Sequence, residues 1–174
     1  MKKYRKWIQI SVLTIALLIG GYSIGSAVFK PDKSVKIGSM APEFSLATLD
    51  KHVHQLSDFE GKSLVINFWG TFCPPCVNEM PALQKQYDQW KEDNVVVLGI
   101  NLSESTITVK NFINQHNITF PIVIDNNDQI RKKYNVQYYP TTFFIDSSGV
   151  IQDKFIGEMK EQDIINGINK LVGL

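Results

Sequence analysis

Cys73 and Cys76, the only two cysteines in the chain, are separated by Pro74-Pro75, a spacing at which two thiols can close a small disulfide or share a soft metal. Disulfide exchange needs one thiolate that attacks and a second thiol that resolves the mixed disulfide. The apolar run Leu64-Val65-Ile66-Asn67-Phe68-Trp69 ends just ahead of the pair, and helical periodicity begins at it. Cys73 therefore falls at a helix start, beside unpaired N–H groups and the positive end of the helix dipole, which favours thiolate. Cys76 lies one turn further in and is the more buried position. This makes Cys73 the attacking nucleophile and Cys76 the resolving thiol. Pro74 and Pro75 suit the first helical positions but remove two N–H groups that could point at the Cys73 sulfur, leaving mainly those of Cys76 and Val77. No His or Lys stands between the cysteines to hold a thiolate. The expected Cys73 thiol is only moderately acidified, and the couple is reducing rather than strongly oxidising. Glu79, three residues after Cys76, can share its helical face within reach of the sulfurs; a solvated helix carboxylate is the plain alternative.

Two buried strands must hold this pair. Leu64–Trp69 and Val95–Asn101 are near-continuous apolar runs, the pattern of strands covered on both faces. Between them the spacing predicts a helix from about Cys73 to Trp90, with Met80, Leu83, Tyr87 and Trp90 on one face and a kink at Pro81. The resulting β-α-β unit implies parallel strands. Upstream, Phe44–Ala47 and His54–Leu56 read as a hairpin around Leu49-Asp50-Lys51. Downstream come a helix over Ser105–His116 capped by Ser105, a strand over Phe120–Asp125 whose Pro121 marks its beginning or a sheet edge, and a short helix near Gln129–Tyr134. A hairpin of Thr142–Ile145 and Val150–Phe155 and an amphipathic helix over Glu161–Leu171 close the chain. Phe68, Trp69, Trp90, Phe112 and Phe143 read as core aromatics.

Charge divides the chain. The net charge is +1, but Lys2, Lys3, Arg5, Lys6 and Lys30 occupy the first thirty residues without an acid, which leaves 13 basic and 17 acidic groups in residues 31–174, about −4. A mildly acidic body has no footprint for phosphate backbones, so no nucleic-acid partner is expected. Residues 7–29 are almost wholly apolar behind the basic flank 1–6, and a helix of that length reaches about 35 Å against a hydrocarbon core of roughly 30 Å. The expectation is a signal-anchor over 7–29 and a linker over 30–36, followed by a domain over 37–174. The chain would then be a single-pass cell-membrane protein with its catalytic domain on the extracytoplasmic side. A cleaved signal peptide, with Gly25-Ser26-Ala27 as its small residues, is the competing reading.

This order of elements, a mixed sheet with helices on both faces, is the thioredoxin-like α/β architecture, with an added N-terminal β-hairpin and an αβ insertion. The residues Gly38, Ala41-Pro42-Glu43-Phe44, Asn67-Phe68-Trp69, Cys73, Cys76, Glu79, Pro81, Phe120-Pro121 and Tyr139-Pro140-Thr141-Thr142 resemble the membrane-anchored thiol-disulfide oxidoreductases of the ResA/TlpA type. The resemblance spans residues 37–172. It implies an enzyme that reduces disulfides in exported proteins, with the oxidised C-x-x-C-H motif of apocytochrome c as substrate and a CcdA-like membrane protein as electron donor. It implies catalytic roles for Cys73, Cys76 and Glu79, the last because thioredoxins carry a buried acid where this chain has Asn67. It makes Pro140 a cis-proline facing the cysteines and places Trp69, Phe72, Tyr139, Pro140 and Thr141 around the substrate, with Tyr139 offering backbone groups to an added strand. Phe72 departs from the Trp usual in that family. No cofactor beyond the Cys73-Cys76 disulfide and no metal is expected, and the chain is expected to be a monomer. The alternatives are reduction of another exported protein, such as one used in spore envelope synthesis, a disulfide-introducing oxidase, and a metal-delivery module. His52, His54 and His116 read as surface or turn residues, and one C-x2-C is incomplete for structural zinc. A peroxiredoxin-type peroxidase lacks its Thr, since Gly70 precedes Cys73 at that spacing.

Overall fold

The structure is a computed structural model that describes residues 2–28 and 35–173. Residues Met1–Lys33 and Ser34–Leu174 form separate compact units. The first holds one helix, α1 (Lys2–Val28). Here the membrane expectation is corrected: among the described residues no helix is long and apolar enough to cross a membrane. The helix has length, at 27 residues, but its first turns carry Lys2, Lys3, Arg5 and Lys6, and Gln9, Ser11, Thr14 and Gly20-Gly21 interrupt the rest. The Ser11 and Thr14 hydroxyls turn back to donate to the carbonyls of Trp7 and Ser11, each at 3.0 Å. The single-pass localisation falls with the anchor. Most of the expected linker, residues 30–34, lies outside the described residues.

The second unit is built on a seven-stranded sheet in the order β2-β1-β5-β4-β3-β6-β7, formed by β1 (Ser45–Thr48), β2 (Val53–Gln55), β3 (Ser63–Trp69), β4 (Val95–Asn101), β5 (Ile122–Ile124), β6 (Thr141–Ile145) and β7 (Ile151–Ile156). Its helices are α2 (Pro74–Trp90), α3 (Thr106–Gln115), α4 (Gln129–Lys133) and α5 (Glu161–Val172), with a 3-10 turn at Leu56–Phe59. β3 pairs with β4 in parallel, Asn67 opposite Gly99, and with β6 antiparallel, Asn67 opposite Thr142. Every residue of β3 is buried, as its continuous apolar run requires. Helix α2 continues through Pro81 to Trp90. The Ser105 hydroxyl accepts from the Thr108 N–H and caps α3, and Asp146 accepts from the N–H groups of Ser148 and Val150 in the turn between β6 and β7. Strand β5 lies inside the sheet, between β1 and β4. Pro121 precedes it and contributes its carbonyl to the Gly99 N–H at 2.9 Å, so the missing proline donor falls where the ladder begins.

Alternation along β3 sorts the core into two layers. Val65 and Trp69 pack with Cys73, Cys76, Met80 and Leu83 of the α2 side and with Ile164 and Ile168 of α5. Leu64, Ile66 and Phe68 pack on the opposite face with Ile130, Tyr134 and Phe143. Full burial of each such side chain contributes about 1.5–3 kcal/mol. The close approach of β4 to the α2 layer depends on Gly99, where a Cβ would stand 2.5 Å from the Ile122 side chain and 2.9 Å from Trp69 Nε1.

Candidate active site

The end of β3 delivers Trp69, and Gly70-Thr71-Phe72 turns the chain into α2. Cys73 is the N-cap residue of that helix, with extended backbone at φ −105° and ψ 101°. It is joined to Cys76 in a disulfide, the two Cα atoms 5.3 Å apart. Pro74 and Pro75 are the first two helical residues, so the chain has no donor there, and the Cys73 sulfur accepts a single backbone bond, from the Cys76 N–H at 3.3 Å. The Val77 N–H goes instead to the Cys73 carbonyl at 3.1 Å, because the helix ladder claims it first. Cys76 is fully buried and Cys73 is 8% exposed.

Glu79 is not a solvated helix carboxylate. It is 1% exposed, and both of its oxygens are bonded. Oε1 accepts from Asn67 Nδ2 at 2.7 Å and Oε2 from the Met159 N–H at 2.8 Å. The second hydrogen of the Asn67 amide reaches Thr142 Oγ1 at 2.9 Å. Burial pushes the Glu79 pKa up to about 7, against the lowering by the bonds from Met159 and Asn67, and the nearby Glu158 charge raises it further. A carboxyl one helical turn from the resolving cysteine thus titrates near neutrality, where it can both take and return a proton.

The residues expected around a substrate are divided by the structure. Phe72 is 61% exposed beside Cys73, its ring folded over Gly70 so closely that a Cβ there would stand 2.4 Å from it. The Tyr139–Pro140 peptide bond is cis. Tyr139 is half-buried between the two core layers, and its N–H and C=O make no backbone hydrogen bond among the described residues. Trp69 is corrected: it is fully buried, packed on Phe112 with ring centroids 5.2 Å apart, and offers no surface to a docking chain. Thr141 is buried as well, its hydroxyl donating to the Tyr138 carbonyl at 2.7 Å. Its backbone is committed to β6, opposite Phe68 on one side and Ile156 on the other.

Four contributors were missed from sequence. Tyr138, not Tyr139, is the exposed aromatic, at 67%. Thr142 and Met159 complete the Glu79 cluster through contacts distant in sequence. Glu104, in the loop after β4, accepts from the Thr71 N–H at 2.7 Å, from the Thr71 hydroxyl, and from Asn101 Nδ2 at 2.8 Å. It pins the turn that carries Cys73 to the end of β4. The one signal for it was Asn101, a polar residue closing an otherwise apolar strand.

Comparison with known proteins agrees with this geometry. Residues 37–154 match the AhpC/TSA family. The chain belongs to that family. Within it, the chain is 40% identical to the thiol-disulfide oxidoreductase ResA of Geobacillus kaustophilus, over 94% of this chain and 95% of the relative. It is 37% identical to ResA of Bacillus subtilis, over 97% and 94%. Among solved structures, a thioredoxin-family thiol:disulfide interchange protein of Chlorobium tepidum superposes with a TM-score of 0.72 at 26% identity, covering 79% of this chain and 99% of that one. StoA of Bacillus subtilis superposes at 0.65 and 28% identity, covering 74% and 97%. With its thioredoxin-like fold and its Cys73–Cys76 pair, this AhpC/TSA-family protein is a thiol-disulfide oxidoreductase.

Proposed function

We propose that the protein works as a reductase of disulfides in other proteins, with Cys73 attacking, Cys76 resolving and Glu79 handling the proton of Cys76. One observation carries this reading: a fully bonded carboxyl with a pKa of about 7, buried one turn from a buried resolving cysteine. In the dithiol form the Cys73 thiolate attacks a substrate disulfide, forms a Cys73–substrate bond and expels one substrate thiolate. Glu79 takes the Cys76 proton, and the Cys76 thiolate then attacks the Cys73 sulfur. The mixed disulfide breaks, the second substrate thiolate leaves, and the Cys73–Cys76 bond closes. Glu79 passes its proton to a departing substrate thiolate, the other thiolate takes from solvent the proton that Cys73 lost on ionising, and the net change is one protein dithiol oxidised for one substrate disulfide reduced. The single N–H bond to the Cys73 sulfur stabilises thiolate only modestly, which favours a reducing couple.

A substrate segment laid beside Tyr139 would find unpaired backbone groups, with Phe72 and Tyr138 as apolar flanks. The substrate we put forward is the oxidised C-x-x-C-H motif of apocytochrome c, and the electron donor a CcdA-like thiol protein, both resting on the similarity to ResA. Reduction of a protein used in spore envelope synthesis uses the same chemistry, and Pro74-Pro75 suits it equally. The test is a trap. Cys76→Ala should hold its substrate as a mixed disulfide on Cys73, with a C-x-x-C-H protein identified by mass; a reactive Cys73 that captures no protein contradicts the reductase reading. A reduction potential near that of thioredoxin, about −270 mV, is expected, and one near that of DsbA, about −120 mV, would make the protein an oxidase.

A further inference from the structure

Asn67 does more than hold Glu79. Its amide donates both hydrogens, to Glu79 and to Thr142, yet its carbonyl oxygen Oδ1 is fully buried and has no partner. Native interiors rarely leave a buried acceptor unbonded, and such a group calls for a reason. A flipped amide is excluded while Glu79 is ionised, since it would set the carbonyl against the carboxylate.

The structure holds the closed disulfide, in which neither sulfur carries a hydrogen. Reduction by an external dithiol adds two electrons and two protons and so creates a new donor in this core, the S–H of Cys76. Asn67 faces the same side of the sheet as Val65 and Trp69, the layer to which Cys76 belongs. Its Nδ2 already reaches the residue one helical turn beyond Cys76, and side chains at that spacing are neighbours on a helix. We infer that Asn67 is a positioning residue for the resolving step: in the reduced protein its Oδ1 accepts the Cys76 S–H, while its Nδ2 keeps the Glu79 carboxylate in place. One amide then spans the donor and the acceptor of the proton that must move. The arrangement differs from a buried acid at this strand position because the amide orients both groups without competing for the proton. It rests on the proposed roles of Cys76 and Glu79.

The test uses reduced Cys73→Ala, in which Cys76 is the only thiol, and reads its S–H stretch by infrared spectroscopy. A band lowered in frequency, as for a bonded thiol, is expected. It should persist in Cys73→Ala/Glu79→Gln and return to the free-thiol position in Cys73→Ala/Asn67→Ala. A free-thiol band in Cys73→Ala alone overturns the inference, and needs no Asn67 variant to fold. A band that moves with Glu79→Gln but not with Asn67→Ala also overturns it, by making Glu79 the acceptor. As a readout that mere packing would not move, the titration midpoint of Glu79 should rise in Asn67→Ala through loss of a donor to its charged form; an unchanged midpoint counts against positioning. Turnover of a protein disulfide by the unmodified chain is measured separately, so loss of the reductase reading is distinguishable from loss of this one.

Discussion

The two faces of the central sheet are equally buried and differently equipped. On the face away from α2, Leu64, Ile66 and Phe68 meet Tyr134 and Phe143, whose rings pack at centroid distances of 5.2–6.0 Å. On the α2 face, Asn67 interrupts the same strand and meets Glu79 and Thr142 beneath the disulfide. One face has close packing as its whole role. The other gives up apolar contact for a carboxyl that cannot easily ionise, and that difficulty is what brings its pKa into the range where a thiol proton can be exchanged. Burial alone thus yields stability on one side of a strand and reactivity on the other, and a single polar residue decides which.

Substitutions on the two faces should separate these roles. The largest effect is expected for Glu79→Gln, which should slow the resolving step by about 10²–10⁴-fold, seen as a long-lived mixed disulfide in quenched-flow mass analysis, while the fold persists. Trp69→Ala should cost about 3–5 kcal/mol in denaturant unfolding, whereas Phe72→Ala, in the exposed turn that follows β3, should stay within about 0.5 kcal/mol and change substrate preference instead. That contrast would break if Trp69 governed substrate affinity.

Because burial raises the Glu79 pKa from 4.5 to about 7, the folded chain retains a proton that the unfolded chain has lost between those values. Stability should therefore fall by about 3 kcal/mol as pH rises from about 4.5 to about 7 and level off above. Glu79→Gln should flatten that slope. A smaller effect, about 1–3 kcal/mol, is expected for Glu104→Ala, which frees the Thr71 turn. The loss should appear in stability and as a slower attack by Cys73, with the Glu79 midpoint unmoved.

The strands and helices around the site were legible in the sequence because near-continuous apolar runs at 64–69 and 95–101 admit few other folds, and Pro-Pro marks a helix start. The cysteine pair and the proline at 140 were legible from spacing and resemblance. Burial of Glu79 was not, since a helix carboxylate defaults to solvent and its partners Asn67 and Met159, 12 and 80 residues away, meet it only through tertiary contact. Glu104 was hidden in a loop whose partners are set by tertiary contact. Trp69 was legible as a core aromatic, since period-two alternation from Val65 puts it under α2, where it is buried; only the place beside the substrate that the resemblance implied for it did not hold. The anchor expectation weighed the apolar letters of residues 7–29 above the polar residues among them.

The most direct measurement is the titration of the Glu79 carboxyl in the oxidised protein, followed by carbon-13 resonance with Glu79→Gln as the assignment control. A midpoint near 7 is the predicted result. A midpoint near 4.5, the value of an ordinary glutamate, would contradict its role as the proton acceptor of the dithiol.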